Sequence, residues 1–216
     1  MPQKAKILLV DDHPLVREWL ATLINQQWDL QVCGDADNAK QAMELMATVH
    51  PDAAVVDMSL EGCSGIELIK NIKASHPNVA VIVLSMHDES LYAARAFHAG
   101  AQGYIMKREA TKKVLHGIRC VLDGKRYFSD EISMLIAGKS LMAQPGTAGS
   151  FIDSLSDREL EVFQLLGRGY RTRQIADEMQ VSFKTVQTFC ARIKEKLQVS
   201  SATELLREAI RWHDSQ

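Results

Sequence analysis

Five residues of the first half of the chain carry functional groups that could act together: the acidic pair Asp11-Asp12, then Asp57, Ser85 and Lys107. Three carboxylates held close repel one another unless a cation sits among them. Hard oxygen donors in an incomplete protein cage suit Mg²⁺, which keeps waters and accepts phosphate oxygens. Within such a set Asp57 is the natural nucleophile, attacking phosphorus to form an acyl phosphate. Lys107 would neutralise phosphoryl oxygens, and the Ser85 hydroxyl would donate a hydrogen bond to one of them. Ser59, two residues past Asp57, could offer its backbone carbonyl to the metal.

The elements that must position these groups are legible in what precedes each of them. Short apolar runs at 7–10, 53–56, 79–84 and 104–106 end at Asp11, Asp57, Ser85 and Lys107 respectively. Runs of this length, bounded by turn residues and alternating with helical patterns, read as buried parallel strands. The carboxyl ends of such strands share one edge of the sheet, where ligands bind. A lone Asp at a strand end is more often a helix cap or turn former. Four strand ends, each bearing one part of the same chemistry, single out phosphoryl transfer.

At 216 residues, 46% of them hydrophobic, the chain fits two modest cores better than one. The net charge of −2 gives no global basic signature. No apolar stretch approaches membrane-spanning length, and the first residues lead straight into a strand, which argues against a signal peptide or a membrane anchor. Cys33, Cys63, Cys120 and Cys190 are widely spaced with no C-x-x-C, so reduced thiols in a cytoplasmic protein are expected. Helical periodicity fades after residue 123, a short helical piece is expected around 130–137, and Gln144-Pro145-Gly146-Thr147-Ala148-Gly149 reads as a flexible connector. The expected domains are 1–128, a partly helical linker at 129–150, and 151–216. The fold class is α/β for the first, a five-stranded, parallel, doubly wound, flavodoxin-like domain. The second is a small all-α domain of four helices built on a helix-turn-helix.

Ser156-Asp157-Arg158-Glu159 opens the second domain with a capping box. A short helix across 174–179 and a longer one at about 183–197, capped by Ser182, form the helix-turn-helix. In the longer helix Val186, Cys190, Ile193 and Leu197 make a core stripe, with Lys184, Gln187, Thr188, Ala191, Arg192 and Glu195 opposite. From Arg168 to Lys196 seven Lys/Arg face three acids, a local +4, whereas residues 151–216 as a whole are neutral. A basic face confined to one helix-turn-helix is the footprint expected of duplex DNA binding.

Two resemblances follow. ILLVDDH at 7–13, VVDMSLEGCSGIEL at 55–68, VIVLSMHD at 81–88 and GAQGYIMK at 100–107 resemble the receiver domain of bacterial two-component response regulators. The resemblance implies that Asp57 accepts a phosphoryl group from a sensor histidine kinase, with Mg²⁺ on Asp12, Asp57 and the Ser59 carbonyl and Asp11 acting through water. It also implies a switch in which Ser85 turns toward the phosphoryl group and Tyr104 swings inward; on the residues alone, Tyr104 reads equally well as a half-buried aromatic on an edge strand. The motifs LSxRExEV at 155–162, QIA at 174–176, VSxKTV at 181–186 and IxxKL at 193–197 resemble the LuxR-type DNA-binding domain. Together the halves look like a NarL/FixJ-type regulator. That implies DNA contacts from Arg171, Thr172, Arg173, Lys184, Thr185, Gln187, Thr188 and Arg192. It also implies pairing of protomers on an inverted repeat through the last helix, at Ala202, Leu205, Leu206 and Ala209. RNA polymerase at the promoter is a further partner the resemblance allows. The chain departs from the pattern at Thr172-Arg173-Gln174, Gln187 and Phe189; glutamine can read adenine by paired hydrogen bonds, and Phe189 lies at the edge of the core stripe.

Two other classes stay open at this point. A phosphatase with an Asp nucleophile usually carries a second Asp two residues on, where this chain has Ser59. A regulator-like protein acting on another regulator or a kinase, without binding DNA, would account for Gln187 and Phe189.

Overall fold

A computed structural model describes residues 4–60, 63–86, 89–141 and 151–214. The chain divides into two compact units, Met1–Ala143 and Gln144–Gln216. In the first, strands β1 (Ala5–Val10), β2 (Leu30–Ala36), β3 (Ala53–Asp57), β6 (Ala80–Ser85) and β7 (Gly103–Met106) alternate with helices. They form one parallel sheet in the order β2-β1-β3-β6-β7. The intervening helices are α1 (Pro14–Asn25), α2 (Ala39–Val49), α3 (Gly65–Ser75), α4 (Glu89–Ala99) and α5 (Ala110–Leu122). A two-residue hairpin, β4 (Ser59–Leu60) with β5 (Cys63–Ser64), follows β3.

Period-two alternation sends each strand's side chains to both faces, and both are covered. Ile7, Leu9, Val55, Ile82 and Leu84 pack with Leu20 and Ile24 of α1 and with Val114, Ile118 and Val121 of α5. Their neighbours Leu8, Val10, Val56, Val81 and Val83 are equally buried. Helix starts follow local chemistry: Pro14 stands in the first turn of α1, and Asn38 Oδ1 accepts the Gln41 N–H at 2.9 Å to cap α2.

The first unit extends beyond the sequence-based boundary at residue 128. Tyr127 adds a rung to the sheet edge: Tyr104 N–H donates to the Tyr127 carbonyl and Tyr127 N–H to the Gln102 carbonyl, both at 2.8 Å. Phe128 meets Phe97 edge-on at 5.9 Å, and the Arg126 guanidinium lies 4.6 Å from the Phe97 ring centroid. The Ser129 N–H donates to Glu89 Oε1 at 2.9 Å. Helix α6 (Asp130–Leu141), longer than the expected 130–137, then packs on α4 and buries Ile132 and Ile136. The connector expected at 144–149 lies outside the described residues.

Among the described residues the second unit carries the four expected helices, with one further single turn ahead of them. A single turn, α7 (Phe151–Ser154), precedes α8 (Asp157–Gly167), α9 (Thr172–Glu178), α10 (Phe183–Leu197) and α11 (Ala202–Asp214). Leu160, Val162, Phe163, Ile175, Val186 and Ile193 form its core. No helix among the described residues is long and apolar enough to cross a membrane.

Candidate functional site

The carboxyl edge of the sheet gathers the sequence-predicted pocket residues. Asp11 follows β1, Asp57 ends β3, Ser85 ends β6, and Lys107 opens a single 3-10 turn after β7. Lys107 Nζ lies 2.7 Å from Asp57 Oδ2 and 2.8 Å from Asp11 Oδ2. Asp11, Asp57 and Ser85 are all buried. The Arg17 guanidinium donates to the Asp11 carbonyl at 2.6 Å, which fixes the turn after β1.

Burial pushes Asp57 up to about 6, and the Asp11 charge adds to this, while Lys107 and the Ser59 N–H pull the other way. Burial lowers the Lys107 ammonium, but the charges and hydrogen bonds of Asp57 and Asp11 outweigh it and leave the group above its ordinary range. One ammonium thus serves two buried carboxylates, with Asp12 beside them. Asp11 Oδ2, despite its nearness to Lys107, and Asp12 Oδ1, beside His13 Nδ1, are buried without an aligned hydrogen-bond donor. One ligand atom from each of Asp11, Asp12, His13 and Asp57 lies within 4.8 Å of the others. Three carboxylates gathered around a single ammonium leave negative charge that fits a hard cation.

Three contributors escaped the sequence reading. His13 donates its N–H to Asp11 Oδ1 at 2.9 Å and sets its ring against Asp12; its place directly after the acidic pair was the available signal. Gly65 lies so close to the Asp57 loop that an added Cβ would strike the Asp57 carbonyl and come within 2.7 Å of Met58 Cα. Its N–H donates to the Met58 carbonyl at 2.9 Å. Tyr127, which covers the edge beside Tyr104, gave no local signal. Tyr104 is buried at 3% exposure rather than half-buried, because Tyr127 continues the sheet past β7.

In the second unit Ser182 Oγ accepts the Thr185 N–H at 3.0 Å and starts α10 at Phe183. Lys184, Gln187, Thr188 and Arg192 are exposed along one side of α10, and Arg171 and Arg173 are exposed around the start of α9. Thr185 is half-buried, its hydroxyl 2.7 Å from that of Ser182, and so serves the cap; Thr172 is also half-buried. Phe189 is half-buried at the margin of the core stripe. Lys196, counted in the basic face, instead reaches the buried Glu159 at 2.6 Å and the Ser154 carbonyl at 2.8 Å. Glu159 also closes the capping box by accepting the Ser156 N–H at 2.7 Å. Burial raises the Glu159 carboxyl, but hydrogen bonds from Lys196 and Ser156 hold it below its ordinary value.

The four α11 positions expected to pair protomers fall on two sides of the helix. Leu205 and Ala209 are buried in the unit's own core and are not open to a partner. The backbone of Ala209 comes so near α8 that a Cβ on Gly167 would lie 2.6 Å from its carbonyl oxygen. Ala202 and Leu206 are exposed, and Ile210 continues their line at 39% exposure.

Residues 7–119 match the response regulator receiver domain, and residues 153–209 match the bacterial regulatory proteins of the luxR family. The chain is 34% identical over 206 residues to response regulator GacA of Pseudomonas aeruginosa, covering 95% of each protein. A LuxR-family two-component response regulator from Aurantimonas sp. superposes with a TM-score of 0.58 at 34% identity, over 64% of this chain and 99% of that one. The two-component response regulator RcsB, solved as an RcsB–DNA complex, superposes with a TM-score of 0.57 at 23% identity, over 95% of this chain and 97% of that one, a likeness of fold. The chain belongs to the two-component response regulators of the NarL/FixJ type, a receiver domain followed by a LuxR-type domain.

Proposed function

We propose that this protein is a cytoplasmic transcription regulator that takes a phosphoryl group on Asp57 from the phosphohistidine of a sensor histidine kinase and, so modified, binds promoter DNA as a dimer. The observation that carries the reading is the buried Asp57 carboxylate, held 2.7 Å from Lys107 at the sheet edge beside Asp11. In the transfer an Asp57 oxygen forms the new bond to phosphorus, the histidine nitrogen–phosphorus bond breaks, and the imidazole leaves with the bonding pair. Lys107, freed from Asp57 as the carboxylate becomes an acyl phosphate, turns its charge to a phosphoryl oxygen, and the Ser85 hydroxyl donates to another. Asp12, Asp57 and the Ser59 carbonyl would hold Mg²⁺, with Asp11 acting through water; the ion, when bound, neutralises phosphoryl oxygens. Ser85 and Tyr104 form the switch, in which a new dianion draws a hydroxyl and a ring fills the space it leaves.

Arg171, Arg173, Lys184, Gln187, Thr188 and Arg192 make the DNA face, with Thr172 and Thr185 supporting the turn. Ala202 and Leu206, continued by Ile210, pair the second domains on an inverted repeat. These exposed basic positions favour the DNA reading over a DNA-free interaction protein, and Ser59 in place of a second Asp disfavours a phosphatase. The test is phosphoryl incorporation from a labelled small phosphodonor with Mg²⁺. Wild type should label and Asp57→Asn should not; labelling of the folded variant at the wild-type level would reject Asp57 as acceptor.

A further inference from the structure

Phe183 is the first residue of α10, directly after the Ser182 cap, and 42% of it is exposed. A single exposed aromatic is unremarkable on most surfaces, since apolar atoms make up more than half of a typical one. Its placement is what counts. Phe183 heads the outward stripe continued by Gln187 and Ala191, on the side of α10 that also presents Lys184 and Arg192. The Arg173 guanidinium stands 5.9 Å from the ring centroid. Together with Arg171, Thr172, Arg173 and Gln174 the ring walls a concavity of about 470 Å³.

The N-terminal residues of a recognition helix reach base edges, while flanking cations grip phosphates and fix the register. Among the groups that base pairs present in the major groove, the apolar one is the thymine C5-methyl. We infer that Phe183 is a specificity-determining residue, whose ring contacts the methyl of a thymine in each half-site while Arg173 and Lys184 hold the adjacent backbone. This rests on the DNA-binding reading above and adds the base that one residue selects. The contact needs no hydrogen-bonding partner on the ring, which accounts for an aromatic at a position where a polar side chain would serve solubility better.

The experiment selects binding sites from a randomised duplex pool with the full chain, Mg²⁺ and beryllofluoride, comparing wild type with Phe183→Ala and Phe183→Leu. Wild type should enrich a site with thymine at one position per half-site. Phe183→Ala should lose that preference and keep every other position, and Phe183→Leu, which retains an apolar contact, should keep it. Replacing the selected thymidine by deoxyuridine, which lacks only the methyl, should weaken wild-type binding about fourfold and leave Phe183→Ala unchanged. A motif identical at all positions in wild type and Phe183→Ala overturns the assignment, as does equal weakening on all sequences, which would make the ring a packing element for Arg173. Wild type enriching no site would instead overturn the DNA reading, and this assignment with it.

Discussion

The two halves of the molecule use charge in opposite ways. At the sheet edge of the first unit Asp11 and Asp57 are withdrawn from water, each within 2.8 Å of the half-buried Lys107. On the second unit Lys184, Arg192, Arg171 and Arg173 stand open to solvent. Buried charges interact through a low dielectric, so one added phosphoryl group changes the balance of the whole cluster. Exposed charges act as a sum, screened by salt, and the loss of one is a small decrement. The first arrangement suits a switch and the second suits a grip.

The sharpest way to break this contrast is to remove Lys107. Lys107→Met leaves two buried carboxylates without their cation and should cost roughly 3–5 kcal/mol in urea unfolding, with Mg²⁺ recovering part of the loss. A cost below about 1 kcal/mol would mean that the pocket is wetter than its burial indicates. Next in size, Gly65→Ala must displace the backbone at Asp57 and Met58 and should destabilise by about 2–3 kcal/mol while reducing phosphoryl incorporation; an unchanged rate of labelling would separate the loop from the acceptor's geometry.

Glu159→Gln sharpens the comparison by testing a buried charge in the second unit, at a cost of about 1–2 kcal/mol near neutral pH. The Glu159 carboxyl is held below its ordinary value of 4.5, so its contribution is present above that value and lost as pH falls through the lower, folded one. Thermal melts of wild type and variant should therefore converge in acid; a gap independent of pH would make the effect one of packing. The smallest stability effect belongs to Arg192→Ala, within about 0.5 kcal/mol. Its DNA affinity should fall nearly uniformly across sequences, with the salt slope reduced by about 1; an unchanged slope would place Arg192 off the phosphate backbone.

What could be read from the sequence follows the same division. The pocket was legible because each of its members ends an apolar run, and a parallel sheet brings such ends to one edge whatever the intervening loops do. The outward face of α10 was legible because a period of 3.6 fixes which side Val186 and Ile193 bury. Contacts that depend on tertiary approach were not. Lys196 looks like one more surface cation until Glu159, 37 residues earlier, is placed beneath it. On α11 two neighbouring apolar lines, 205–209 and 202–206–210, both satisfy a helical period, and only the position of α8 decides which turns inward. Gly65 is one glycine among 12 until the Asp57 backbone is seen against it.

The rung contributed by Tyr127 bears on how this protein stays in solution. A terminal strand with unpaired N–H and C=O groups is a template onto which another chain can add, and long edges of that kind lead to aggregation. On the β7 side the chain supplies one closing rung: Tyr127 occupies the N–H of Tyr104 and the carbonyl of Gln102, and α6 then packs on the adjacent α4. Copies brought close together would therefore meet an edge already partly occupied on this flank, which works against growth into a continuous sheet.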